Sequence, residues 1–76
     1  MTIEEAIKTA IDFENKVRDV YAEAAGESEH ETGRRLFQLM ADEEQHHVDY
    51  LEHALKKWRE IGEREIRLTI LPNPRH

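Results

Sequence analysis

Seventy-six residues make one small domain, and a chain this short buries only a modest share of its surface without help from disulfides, metal or partner chains. There is no cysteine, so disulfides and thiolate zinc sites are excluded, leaving metal and partner chains as the means of stabilisation. The net charge of −6, with no basic tract, argues against nucleic acid and anionic membrane as partners. Charged residues make up 37% of the chain with only three Gly and two Pro, the composition of exposed, ion-pair-rich helices.

Met1-Thr2-Ile3-Glu4-Glu5 lacks the basic and apolar regions of a secretory leader, and cytosol is the expected compartment. Thr2 followed by Glu5 reads as a capping box, in which hydroxyl and carboxylate each satisfy a free backbone N–H. Helix 1 is expected from about residue 3 to 25, with Gly26 as its stop. Its apolar seam, Ile3, Ile7, Ala10, Glu14, Val17, Tyr21 and Ala24, alternates four- and three-residue steps, and one carboxylate, Glu14, interrupts it.

Ser28 and Glu31 form a second expected capping box. Helix 2 is expected over about 29–61, closed by Gly62. The short link makes the two helices antiparallel neighbours. The helix 2 seam is Phe37, Met40, Glu44, His47, Leu51, Ala54, Trp58 and Ile61, so a carboxylate and an imidazole sit where only apolar groups are cheap. A second apolar flank, Leu36, Leu39, Val48 and Leu55 with Ile11, Phe13 and Val20 on helix 1, is left for another chain to cover. Helix 2 outruns helix 1, with Trp58 expected in the overhang. In residues 63–76, Ile66, Leu68 and Ile70 alternate with polar residues and two prolines follow. An extended tail docked on a neighbour is expected there, or else a frayed helix end and a disordered terminus.

Glu14, Glu44 and His47 fall within one or two turns of one level in such a hairpin. Two hairpins related by a two-fold axis would make an all-α four-helix bundle holding four carboxylates and two imidazoles around one cavity. Carboxylates are hard, anionic and able to bridge two ions, and imidazole suits iron. Four carboxylates neutralise two Fe(II) and favour oxidation to Fe(III), so iron oxidation by O2 or peroxide is the expected chemistry. Mn accepts the same ligands. Glu43 and His46 repeat the Glu-x-x-His spacing one residue back, and His46 or His53 with Glu43 or Asp49 is a candidate for an entry or secondary iron site. The bland alternative is a Glu–His polar network in a metal-free assembly module.

The stretches Ala10-Ile11-Asp12-Phe13-Glu14, with Tyr21 seven residues later, and Ala41-Asp42-Glu43-Glu44-Gln45-His46-His47 resemble half of a rubrerythrin/ferritin-like domain over about residues 6–56. The resemblance implies that Glu14, Glu44 and His47 are metal ligands. It also implies a role for Tyr21 beside the metals, orienting a ligand or passing an electron. A two-helix chain is similar to the encapsulated ferritins, whose di-iron site forms only across a dimer interface. That implies a ferroxidase working as a homodimer or larger even-numbered oligomer, with a peroxide-reducing di-iron protein as the alternative. It also implies a possible partner in an encapsulin-type protein shell, reached through the tail at Leu68-Thr69-Ile70-Leu71. Rubrerythrins proper carry a four-cysteine iron centre that this chain cannot build.

Overall fold

The computed structural model describes the backbone of residues 1–70 and the side chains of residues 1–62. Among these residues the chain is two helices, α1 (Ile3–Glu27) and α2 (Glu31–Ile70), with no strand. They pack side by side as the expected antiparallel hairpin. No helix among the described residues is long and apolar enough to cross a membrane.

Thr2 caps α1, making its own half of the expected box. Its hydroxyl accepts from Glu5 N–H at 3.1 Å while its own backbone is extended. Glu4 and Glu5 place negative charge on the N-terminal end of the helix dipole.

The expected helix stops are not used. α1 runs through Gly26 to Glu27, and Ser28 caps it, its N–H donating to the Ala24 carbonyl at 3.0 Å. α2 likewise runs through Gly62 to Ile70, which corrects both the end at 61 and the extended reading of residues 63–70. No glycine in the described chain has positive φ. Glycine ends a helix only when the chain takes up the left-handed conformation there. A helical glycine costs about 1 kcal/mol against Ala, too little to end a long helix made of Glu, Arg and Leu. The last residue of the expected docking peptide, Leu71, lies outside the described residues, as do both prolines.

The second capping box is also not made. Helix 2 begins at Glu31, so Ser28 stands too early to cap it, and its hydroxyl instead donates to the His30 carbonyl at 3.1 Å. That carbonyl also accepts the first bond of α2, from Arg34 N–H at 2.9 Å.

Two polar bridges mark the register of the helices. Arg18 meets Gln45 and Arg59 meets Glu4, so stepping fourteen residues back along α1 moves the partner fourteen forward along α2. In this register Trp58 lies level with the first turn of α1. The overhang of α2 therefore begins after it rather than containing it.

The contact ridge is narrow, with four buried apolar side chains among the described residues. Ala25 on α1 and Ala41, Val48 and Leu55 on α2, each seven apart, are the buried apolar side chains, with Val48 only 2% exposed. Val48 and Leu55 thus belong to the hairpin's own contact and not to the outer flank. Phe37, Met40, Glu44, Leu51 and Ala54 are half-buried, while Trp58 and Ile61 are exposed. At about 100° per residue, most of the larger apolar side chains that remain fall to one side of the ridge, Phe13, Val17 and Val20 on α1 and Leu36, Met40 and Leu51 on α2, while Ile11 lies on the other side and Leu39 opposite the ridge. The opposite side carries the two polar bridges. The hairpin is a layer 11 Å thick, one helix diameter, with one mainly polar face and one mainly apolar face.

Candidate metal centre

Glu14 sits midway along α1, and Glu44 and His47 lie one turn apart on α2, where the three- and four-residue spacing aims them toward the same side. The hairpin closes them on each other. One ligand atom from each of the three lies within 4.8 Å of the other two. His47 Nδ1 stands 3.3 Å from Glu44 Oε2 and 3.8 Å from Glu14 Oε2. Donor atoms held about 2.1 Å from one ion stand at most roughly 4.2 Å apart, so both separations already fit a shared cation.

The electrostatics of the group are those of two crowded carboxylates with only a half-exposed imidazole beside them. Glu44 is 17% exposed, and its Oε2 is buried with no hydrogen-bond partner, with His47 Nδ1 3.3 Å away. A buried acceptor left unmade is costly, and a native structure that retains one calls for an explanation. The Glu14 carboxyl is held above the usual carboxylate range, first by its hydrogen-bonding contact with Glu44, then by desolvation and the Glu44 charge, with His47 pulling the other way. A divalent cation among these atoms would satisfy the orphaned oxygen and relieve the repulsion between the carboxylates. The donor set therefore fits a hard or borderline cation such as Fe(II) or Mn(II).

Three donors do not complete the coordination of such an ion. His47 is 55% exposed and stands on the apolar face, so the group opens to solvent on that side.

Tyr21 is half-buried about two turns, roughly 10 Å, along α1 from Glu14. Glu43, His46 and His53 are exposed and form no cluster of three ligand-type groups among the described residues. A hollow of about 410 Å³ lined by Glu52, Leu55, Lys56, Arg59 and Glu60 lies apart from the cluster, and its two cations balance its two anions.

One contact at this level has no precursor in the sequence pattern. Arg18 Nη1 donates to Gln45 Oε1 at 2.6 Å across the helix pair, one turn from Glu14 and next to Glu44. Neither residue interrupts a seam, so periodicity gave no reason to single them out.

Comparison of the chain with protein-family models, with curated proteins and with solved structures returns no match.

Proposed function

We propose that two copies of this hairpin pair through their apolar faces into a four-helix bundle, and that the paired Glu14, Glu44 and His47 groups bind two ferrous ions and oxidise them. The observation that carries the reading is the buried, unpartnered Glu44 oxygen inside a Glu–Glu–His cluster.

The pairing is supported by shape. The radius of gyration is 19.4 Å, where a compact chain of this length has roughly 11 Å. The exposed surface is 6527 Å², roughly 1,700 Å² more than a compact monomer of 9.0 kDa presents. Obligate homodimers bury on the order of 1,000–2,500 Å² per chain, which is the size of that excess. Closure of the apolar faces would bring two half-sites together and exclude water from them.

Each residue then has a task. Glu14 and Glu44 hold the ferrous substrate as hard anionic donors, which favour the ferric over the ferrous state. His47 adds a neutral donor and leaves open the positions where oxidant enters. Two ferrous ions lose one electron each. Dioxygen takes both electrons, with two protons from water, and leaves as hydrogen peroxide.

The experiment is ferrous oxidation under air, followed by an oxygen electrode and a peroxide assay, for the wild type and His47→Ala. The expected result is rapid uptake of one O2 per two Fe(II) by the wild type, and the buffer rate for the variant. Wild-type oxidation no faster than buffer would overturn the proposal.

A further inference from the structure

We infer that the Arg18–Gln45 bridge is the positioning device of this centre, setting the helix register that brings Glu14 against Glu44 and His47; the inference rests on the metal reading above.

The ridge between the helices cannot set that register well. Of its four buried side chains, Ala25 and Ala41 present single methyl groups and only Val48 and Leu55 are branched, and apolar contact is non-directional. A slip of one residue shifts one helix by about 1.5 Å along the other, whereas metal–ligand distances tolerate only about 0.2 Å. Something directional must hold the helices against sliding and rolling.

The bridge has that character. Arg18 donates to Gln45 at 2.6 Å from a part-buried position, its side chain 30% exposed. Both ends are themselves fixed. Arg18 donates twice more to Asp19 Oδ1, at 3.0 and 3.2 Å, and Gln45 Nε2 donates to Asp49 Oδ1 at 2.9 Å. The second bond also orients the Gln45 amide, leaving its oxygen free to accept from Arg18. The run Asp19–Arg18–Gln45–Asp49 therefore laces the helices with each group held at two points.

Its placement matches the centre. Gln45 and Glu44 flank the buried Ala41–Val48 ridge of α2 on opposite sides, and Arg18 and Glu14 lie one turn apart on α1. The bridge closes the polar side of the ridge at the level where the cluster closes the apolar side. A roll or slip of α2 that broke one would part the other. The Arg59–Glu4 bridge keeps the same register from fourteen residues away, at an exposed position where ion pairs hold little.

The test compares Arg18→Met, Gln45→Met, the double variant and, as control, Arg59→Met, which removes the distant bridge. Two readouts are taken on the full chain. The first is the metal-free contact between the His47 ring and the Glu14 side chain, read as an NMR cross-relaxation peak. The second is Mn(II) affinity by electron paramagnetic resonance. The expected result is loss of the peak and a weakening of Mn(II) binding by about tenfold or more in Arg18→Met and in Gln45→Met. The double variant is expected to be no worse than either single one, since all three break one bridge. Arg59→Met is expected to keep the peak and to bind Mn(II) within about twofold of wild type. A preserved peak and wild-type affinity in Arg18→Met would overturn the inference, and so would an equal loss in Arg59→Met. A wild type that binds no Mn(II) would refute the metal reading, while the peak comparison would still decide whether the bridge positions the cluster.

Discussion

Replacing Glu44 by methionine should make the metal-free protein more stable and the metal-loaded protein less so. Glu44 Oε2 is buried without a partner, and its carboxylate pushes the Glu14 carboxyl above its ordinary range. An unsatisfied buried acceptor costs about 1–3 kcal/mol, and methionine fills a similar volume with no polar atom. The substitution also removes the like charge beside Glu14, a gain that offsets the lost contacts of Glu44 with Glu14 and His47. For a domain of this size 1 kcal/mol moves the melting temperature by about 4–8 °C, which gives an expected rise of roughly 5–20 °C in the presence of chelator. With Mn(II) in hundredfold excess over its dissociation constant the wild type should gain about 2.7 kcal/mol, and the variant nothing. The assay is thermal unfolding by circular dichroism at pH 7, both proteins at one chain concentration, with EDTA and then with Mn(II). A variant that melts at or below wild type in EDTA would refute the argument that the site is built at a cost to the fold. A variant that Mn(II) stabilises as much as wild type would refute the assignment of Glu44 as a ligand.

Val48→Ala removes two methyl groups from the best-buried position of the hairpin and should destabilise by about 1.5–2.5 kcal/mol in urea unfolding, whatever the metal. Gly62→Ala and Gly26→Ala should each stabilise by up to about 1 kcal/mol, since both positions are helical and an added methyl meets nothing within 4 Å. If either glycine ended its helix in the left-handed conformation, the same change would destabilise. Met40→Lys, on the apolar face, should shift the protein from dimer to monomer in sedimentation and leave its helix content unchanged. The Glu4 carboxyl is held below its ordinary value of 4.5, chiefly by its hydrogen bond from Arg59. That contact contributes stability above pH 4.5 and loses it as pH falls through the lowered folded-state value. The difference in stability between wild type and Arg59→Met should therefore be constant near neutrality and vanish in acid.

The sequence made the hairpin and the cluster legible for one reason. Glu14, Glu44 and His47 each break an apolar seam, and in antiparallel helices joined by a short link their heights follow from counting. The Thr2 cap was legible because hydroxyl and N–H are local to one turn. The division of the apolar face was not. An apolar face half the circumference wide reads the same whichever half meets the partner helix, so Val48 and Leu55 looked like flank when they are the ridge. Gly26 and Gly62 looked like stops because glycine permits a left-handed turn, but permission is weaker than the continuing hydrogen bonds of a long helix. The Arg18–Gln45 bridge depends on which two polar faces meet, which no single-helix pattern encodes.

The central claim is that two hairpins share one pair of ferrous ions. Anaerobic titration of the metal-free protein with Fe(II), followed by light scattering and then by ferric absorbance on admitting air, tests it most directly. Saturation at one iron per chain in a particle of two chains or a multiple of two, with ferric absorbance appearing under air, is the predicted result. A monomer that binds no iron, or an oligomer indifferent to it, would contradict the account and leave Glu14, Glu44 and His47 as a polar network.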